Sequence, residues 1–318
     1  MNGPGSAGAG LPRSQQVALA VLVVALVVAP LGLYPIFVMK VLCFALFACA
    51  FNLLIGYVGL LSFGHAAFLG AAAYLTAEAA KDWGWPPEAA LLAGTATAAA
   101  LGLVFGSLAI RRQGIYFAMI TLALAQMLYF FALRLPFTHG EDGIQSVPRG
   151  TLFGLIDLSD DRVLYGVVAA IFLAGFLLIL RIIHSPFGAV LKAIRDNEPR
   201  AVSLGYRANH YKLTVFVLSA TLSGLAGATK VLVFQLASLT DIHWTMSGEV
   251  VLMVLVGGLG TVFGPVVGAV IIVAMQYYLA PFGAWVTVVE GAVFMVTVLA
   301  FRRGVVGELS RALGEVKL

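Results

Sequence analysis

Three carboxamides, Asn52, Gln126 and Gln276, stand inside long apolar runs, with Ser62, His65, Thr121 and Thr261 close by in sequence. A buried carboxamide needs partners for two N–H donors and a carbonyl. In a bundle of membrane helices it therefore faces the interior rather than lipid. A lone Ser or Thr in such a run bonds its own helix backbone, and His65, near a helix end, snorkels or caps. Lys230 and Glu290 are charged residues within runs, each about a turn and a half from an end. They either pair with one another or, the preferred reading, snorkel to water. No Gly-x-x-x-x-Gly-Lys-Ser/Thr phosphate loop, His-Glu-x-x-His or Gly-x-Ser-x-Gly arrangement occurs. Cys43 and Cys49 share one apolar run without metal or disulfide spacing. The chemistry open to these residues is binding and passage, not bond cleavage, and the chain has no ligand set for a cofactor or metal.

Two glycine clusters flank these polar residues. One is Ile55-Gly56-Tyr57-Val58-Gly59-Leu60-Leu61-Ser62-Phe63-Gly64, and the other is Val256-Gly257-Gly258-Leu259-Gly260-Thr261-Val262-Phe263-Gly264-Pro265. Their similarity hints at an internal repeat. Read as helix breaks at membrane depth, they need protein or a watery cavity to satisfy the freed backbone. Paired interruptions of this kind point to a transport pathway, and the pathway set is then Asn52, Gly56, Gly59, Ser62, Gly64, Gln126, Gly257, Gly260, Thr261 and Gln276. The competing reading is that the glycines only let helices pack closely.

The third feature is a polar island, Arg181 to Lys212, containing Arg181, Lys192, Arg195, Arg200, Arg207 and Lys212. Ser185-Pro186 marks a helix start. Phe187, Val190, Leu191 and Ile194 then form one apolar face, with Lys192, Arg195, Asp196 and Glu198 opposite. Pro199 restarts the chain as a second short helix, and Gly205 ends it. The apolar face is expected to receive a partner.

These features sit in a chain that is 61% apolar and 11% charged, where a soluble domain carries about 25% charged residues. Its mean hydropathy is +1.00. The pattern predicts an all-α polytopic membrane protein with ten transmembrane segments near 15–34, 36–57, 60–77, 89–110, 114–135, 162–183, 212–235, 249–259, 264–281 and 285–301, nine or eleven remaining open at the glycine junctions. Val17 to Leu33 reads as a span rather than a secretory leader. Residues 1–14 are expected to be disordered, 184–211 to form a cytoplasmic loop and 302–318 a cytoplasmic tail. Arg111-Arg112, the island, and Arg302-Arg303 with Arg311 and Lys317 are basic, whereas loops 78–88, 136–161 and 236–248 are acidic. Positive-inside alternation puts both termini and the island in the cytoplasm. The net charge of +4 serves this anchoring and not nucleic acid.

The stretch NLLIGYVGLLSFGHAAFLGAAAY (52–74), GIYFAMITLALAQ (114–126), Ser185–Gly227 and Gly257–Gly268 together resemble the permease subunits of branched-chain amino-acid ABC importers. GIYFAMITLALAQ and THGEDG (138–143) are similar to the LivM-type rather than the LivH-type subunit. The resemblance covers the chain from about residue 36 onward. It implies a bacterial inner-membrane permease paired with a LivH-type subunit, two ATPase subunits carrying ATP and Mg, and a periplasmic substrate-binding protein. The island then holds the coupling helix, with Phe187, Leu191, Ile194, Arg195, Asp196, Glu198, Ala201 and Gly205 as ATPase-coupling residues. Ala201 and Gly205 keep the spacing of the Glu-Ala-Ala-x-x-x-Gly pattern, while Pro199 and Arg200 depart from it. Thr138-His139-Gly140 and Arg302-Arg303-Gly304 also depart from the Thr-Gly-Gly and Pro-Arg-Gly common in the family. Alternative readings are a urea or short-amide ABC permease and an ion-coupled secondary transporter. The lack of carboxylates at mid-span argues against the latter.

Overall fold

The computed structural model describes residues 12–283, 285–300 and 304–312. Helices stand at all ten expected places: α1 (Arg13–Gly32), α2 (Pro35–Val58), α3 (His65–Lys81), α4 (Pro87–Ala109), α5 (Ile115–Arg134), α6 (Asp161–His184), α9 (Ala208–Phe234), α10 (Trp244–Gly257), α11 (Gly264–Leu279) and α12 (Trp285–Ala300). Between α6 and α9 lie the short helices α7 (Pro186–Asp196) and α8 (Glu198–Ser203), and α13 (Gly304–Ala312) follows α12. Among the described residues, six helices are long and apolar enough to cross a membrane: α2, α4, α5, α6, α9 and α11 with its short extension. Three shorter apolar helices correspond to α1, α10 and α12. The fold is an all-α polytopic membrane architecture.

α2 is the axis of the bundle. Its residues are apolar on every side, the pattern of a helix buried all round, and 94% of its apolar window is covered. Helices α6, α9, α10 and α11 pack about it, enclosing Phe47, Phe51, Leu53 and Leu54 completely. α3, α4 and α9 form a second, tighter group. Lipid chains are as apolar as Leu, so close approach must come from small residues. Gly102 on α4 supplies one such point: a Cβ there would come 2.5 Å from that of Ala220 on α9.

One end of the bundle is capped by acidic loops. β1 (Ile144–Gln145) pairs antiparallel with β4 (Leu236–Ala237), and β2 (Thr151–Leu152) with β3 (Ile156–Asp157). Arg149 ties this cap down, donating to Leu232 O at 3.2 Å and Val233 O at 3.1 Å and pairing with Asp161 at 2.8 Å. The opposite end carries the two glycine turns, Arg111-Arg112 and the helices α7 and α8.

Several expectations are corrected here. The glycine clusters do not interrupt single helices; each is a turn joining two successive helices, α2 to α3 and α10 to α11. The expected segment at 60–77 therefore begins at His65, after the turn, and the one at 249–259 begins at Trp244, where His243 is the N-cap. Arg13 and Ser14 open α1, leaving residues 1–11 of the expected disordered segment outside the described residues. Of the expected C-terminal tail, residues 304–312 form α13, which packs on α10 and α11 and buries Val306. Arg302, Arg303 and Lys317 lie outside the described residues. His65 neither snorkels nor caps. Its ring is fully buried among Phe51, Phe68 and Phe216, with Nε2 2.8 Å from Ser219 Oγ. Lys230 neither snorkels nor meets Glu290, because it pairs with Asp241 of the following loop.

Candidate functional site

The two turns have the same local logic. Gly59 ends α2 in the left-handed region (φ 78°), and Gly258 and Gly260 have φ 128° and 73° in the second turn. Only glycine takes these values without strain. The next helix restarts under a hydroxyl: Ser62 Oγ accepts from Gly64 N at 3.2 Å, and Thr261 Oγ1 accepts from Gly264 N at 3.1 Å. The restart is thus supported by a hydroxyl that holds a backbone N–H at the cap of α3 and at the first residue of α11. Phe63 N of the first turn also donates to Thr121 Oγ1 on α5 at 3.2 Å.

Asn52 locks one turn to the other. Its Nδ2 donates to Thr261 O at 2.8 Å, and its Oδ1 accepts from Gly260 N at 3.0 Å. The side chain is only 3% exposed, so both halves of the amide are satisfied where water would not serve. Gly56 permits the approach: a Cβ there would lie 2.9 Å from Gly260 Cα and N. Gly257 packs against the Gly264–Gly268 stretch of α11 in the same way, a Cβ at 257 falling 3.0 Å from Gly268 N. Close packing and turn geometry thus each account for part of the glycine set.

Helices α7 and α8 reach this unit through Arg195. Ser185 caps α7, accepting from Gly188 N at 3.3 Å. Asn197 caps α8, accepting from Arg200 N at 3.1 Å, and Pro199 stands in the first turn of this helix. At the end of α7, Arg195 Nη1 donates to Gly56 O at 2.6 Å. That carbonyl is open because Leu60 N turns back to Leu54 O, where a continuing helix would have used it for Gly56. The guanidinium also meets the negative end of the α2 dipole. The same arginine touches Asp196 at 3.0 Å on the surface. Glu198 accepts from Lys212 on α9 at 2.6 Å and from Gln113 at 2.7 Å. Lys212 is 3% exposed, so this pair is far less screened than the Arg195–Asp196 contact. Val58, Gly59, Gln113, Arg195, Glu198 and Lys212 line a polar cleft of about 420 Å³.

The apolar face of α7 is corrected. Leu191 and Ile194 are buried within this chain, Phe187 stacks on Tyr211 at 5.5 Å, and Ala201 of α8 packs with Ile194 and Ala208. This face docks the island onto the chain's own helices α2, α6 and α9, with Phe187 and Val190 left half-buried at its edge. The exposed apolar residues lie further on: Val202, Leu204 at 70% exposure and Tyr206. They surround Gly205, which turns the chain with φ 92°.

Gln126 and Gln276 stand apart from the turns. Gln126 is half-buried on α5, more than a turn beyond Thr121. Gln276 lies near the far end of α11 and donates to Glu249 Oε2 at 3.1 Å. Glu249 belongs inside α10, so the sequence reading missed a carboxylate within the bundle. Its signal was weak, since the residues before it, Trp244-Thr245-Met246-Ser247-Gly248, mix apolar and polar types. The bond from Arg195 to Gly56 had no sequence signal, since it joins residues 139 apart.

Comparison with known proteins fits this arrangement. The family model for the permease component of branched-chain amino acid transport systems matches residues 33–300. The chain is 26% identical over 271 residues to the high-affinity branched-chain amino acid transport system permease protein LivM of Escherichia coli (strain K12). It is 28% identical over 272 residues to the protein of the same name in Salmonella typhimurium (strain LT2). Each alignment covers 78% of this chain and 64% of the relative, so the chain spans just under two thirds of the relatives' length. No solved structure matches. With the family model spanning most of the chain, including both glycine turns and the island between them, the chain belongs to the branched-chain amino acid transport permease family.

Proposed function

We propose that this chain is a membrane-spanning permease subunit of an ATP-binding-cassette importer that moves branched-chain or other hydrophobic amino acids into the cytoplasm. The observation that carries the reading is the continuous link from α7 through Arg195 to Gly56, and through Asn52 to Gly260 and Thr261. A displacement of α7 by a cytoplasmic partner must move both turns, and with them α2, α3, α10 and α11. ATP and Mg belong to two partner ATPase subunits. A LivH-type permease completes the membrane core, and a periplasmic binding protein delivers substrate to the acidic cap. The ten helices are ten transmembrane segments in a bacterial inner membrane, with both termini cytoplasmic as the basic clusters require.

The ATPase meets the exposed turn after α8, through Val202, Leu204 and Tyr206 with Arg200 and Arg207 beside them, while Leu191 and Ile194 hold the island to the bundle. The test is uptake of labelled leucine, isoleucine, valine and urea by proteoliposomes containing the assembled complex. Branched-chain amino acid uptake that needs ATP and survives collapse of proton and sodium gradients is expected. Uptake on an ion gradient without ATP, or uptake of urea alone, overturns the reading.

A further inference from the structure

Four polar side chains stand near the capped end of the bundle, away from the turns. Lys40, Glu249 and Glu290 each occupy the sixth position of their helix, α2, α10 and α12, and Gln276 stands three residues from the end of α11. At 1.5 Å per residue each lies about 5–8 Å inside its helix end, so the four share one depth. The helices that bear them pack together. Gln276 donates to Glu249, Lys40 feels the charge of both carboxylates, and Glu290 feels Lys40, Glu249 and Gln276.

This is not a closed ion-pair network. Among the described residues Lys40 has no carboxylate within 4.0 Å, and its ammonium sits 6.0 Å from the Phe44 ring. Lys230, its cationic neighbour, is already paired with Asp241. Glu290 is 7% exposed, yet among the described residues its Oε1 has no hydrogen-bond partner. A buried carboxylate oxygen left unsatisfied is costly, and a bundle built only for stability would place an apolar side chain there. One cation and two carboxylates, with a free ammonium and a free oxygen, complement a ligand that carries one carboxylate and one ammonium a few ångströms apart. Phe37 and Tyr277, ring to ring at 4.8 Å on α2 and α11, lie within a turn and offer apolar surface for its side chain.

We propose that Lys40, Glu249, Gln276 and Glu290 form an amino-acid zwitterion site on the path into the bundle, Lys40 taking the α-carboxylate and Glu290 with Glu249 the α-ammonium. This rests on the importer reading and assigns the polar recognition to residues remote from the glycine turns.

The experiment measures binding of tritiated leucine to the assembled permease–ATPase complex in nanodiscs without binding protein. The competitors are leucine methyl ester, which lacks the carboxylate charge, and 4-methylpentanoate, which lacks the ammonium. Lys40→Met and the isosteric Glu290→Gln are each expected to weaken leucine binding about tenfold or more. Lys40→Met removes the preference for leucine over the ester, and Glu290→Gln removes the preference over 4-methylpentanoate, while Lys40→Arg retains both. Assembly and basal ATP hydrolysis are checked for every variant, and Glu290→Gln decides if Lys40→Met does not assemble. Leucine binding unchanged in the variants, both preferences lost together in each variant, or a wild type that imports leucine yet shows no saturable binding overturns the site. A wild type that imports no amino acid overturns the importer reading instead.

Discussion

Replacing Arg195 by alanine removes the side chain of α7 that hydrogen-bonds Gly56 O at the end of α2. A hydrogen bond from a charged donor contributes about 1.5–3 kcal/mol. The Arg195 side chain is 40% exposed, so solvent lowers the value to about 1–2 kcal/mol. At 1.4 kcal/mol per factor of ten this is a five- to thirty-fold change, within the usual span of coupling energies between linked sites. The island itself stays docked, because Leu191, Ile194 and the buried Lys212–Glu198 pair are untouched. The assay is ATP hydrolysed per leucine imported by reconstituted complex, alongside the amount of ATPase that co-purifies. Arg195→Ala should raise the ratio about tenfold with ATPase still bound. Asp196→Asn, which removes only the charge of the exposed contact at 3.0 Å, should change it less than twofold. A wild-type ratio in Arg195→Ala, or loss of bound ATPase in its place, refutes the idea that Arg195 transmits motion.

Other outcomes follow from the same geometry. Asn52→Ala leaves Gly260 N and Thr261 O without their partner and should destabilise the permease by about 2–4 kcal/mol, read as a lower melting temperature in detergent. Gly56→Ala places a methyl 2.9 Å from the Gly260 backbone and should cut the yield of folded protein, whereas Gly166→Ala, with nothing within 4 Å, should match wild type. Leu204→Asp, at an exposed position, should reduce ATPase co-purification with the melting temperature unchanged, while Leu191→Ala should lower stability by about 2–5 kcal/mol whatever the partners present.

The sequence carried the elements well where a signal is local. Ser185-Pro186 starts α7 and Gly205 turns the chain after α8, because caps and left-handed glycines act over a few residues. Helix positions followed from apolar runs, with slips of five residues at His65 and Trp244, where a turn or a polar residue blurs the run's edge. Periodicity found the apolar face of α7 and could not say what covers it; that face meets α2, α6 and α9, and only three-dimensional packing decides such a choice. The role of the glycines was half legible. Gly59 and Gly260 need positive φ, a local property, but Gly56 and Gly257 are required by backbones distant in sequence. Lys230 was misread because its partner, Asp241, lies in a loop that periodicity does not describe.

The most direct measurement of the central claim, that α7 and the two turns move as one unit, is a double-mutant cycle between Arg195 and Asn52 on the number of ATP molecules hydrolysed per leucine imported. If both act in one chain of contacts, the losses do not add: the Arg195→Ala, Asn52→Ala protein should be no more uncoupled than the worse single variant. Losses that add in full, each variant multiplying the ratio independently, would contradict the account.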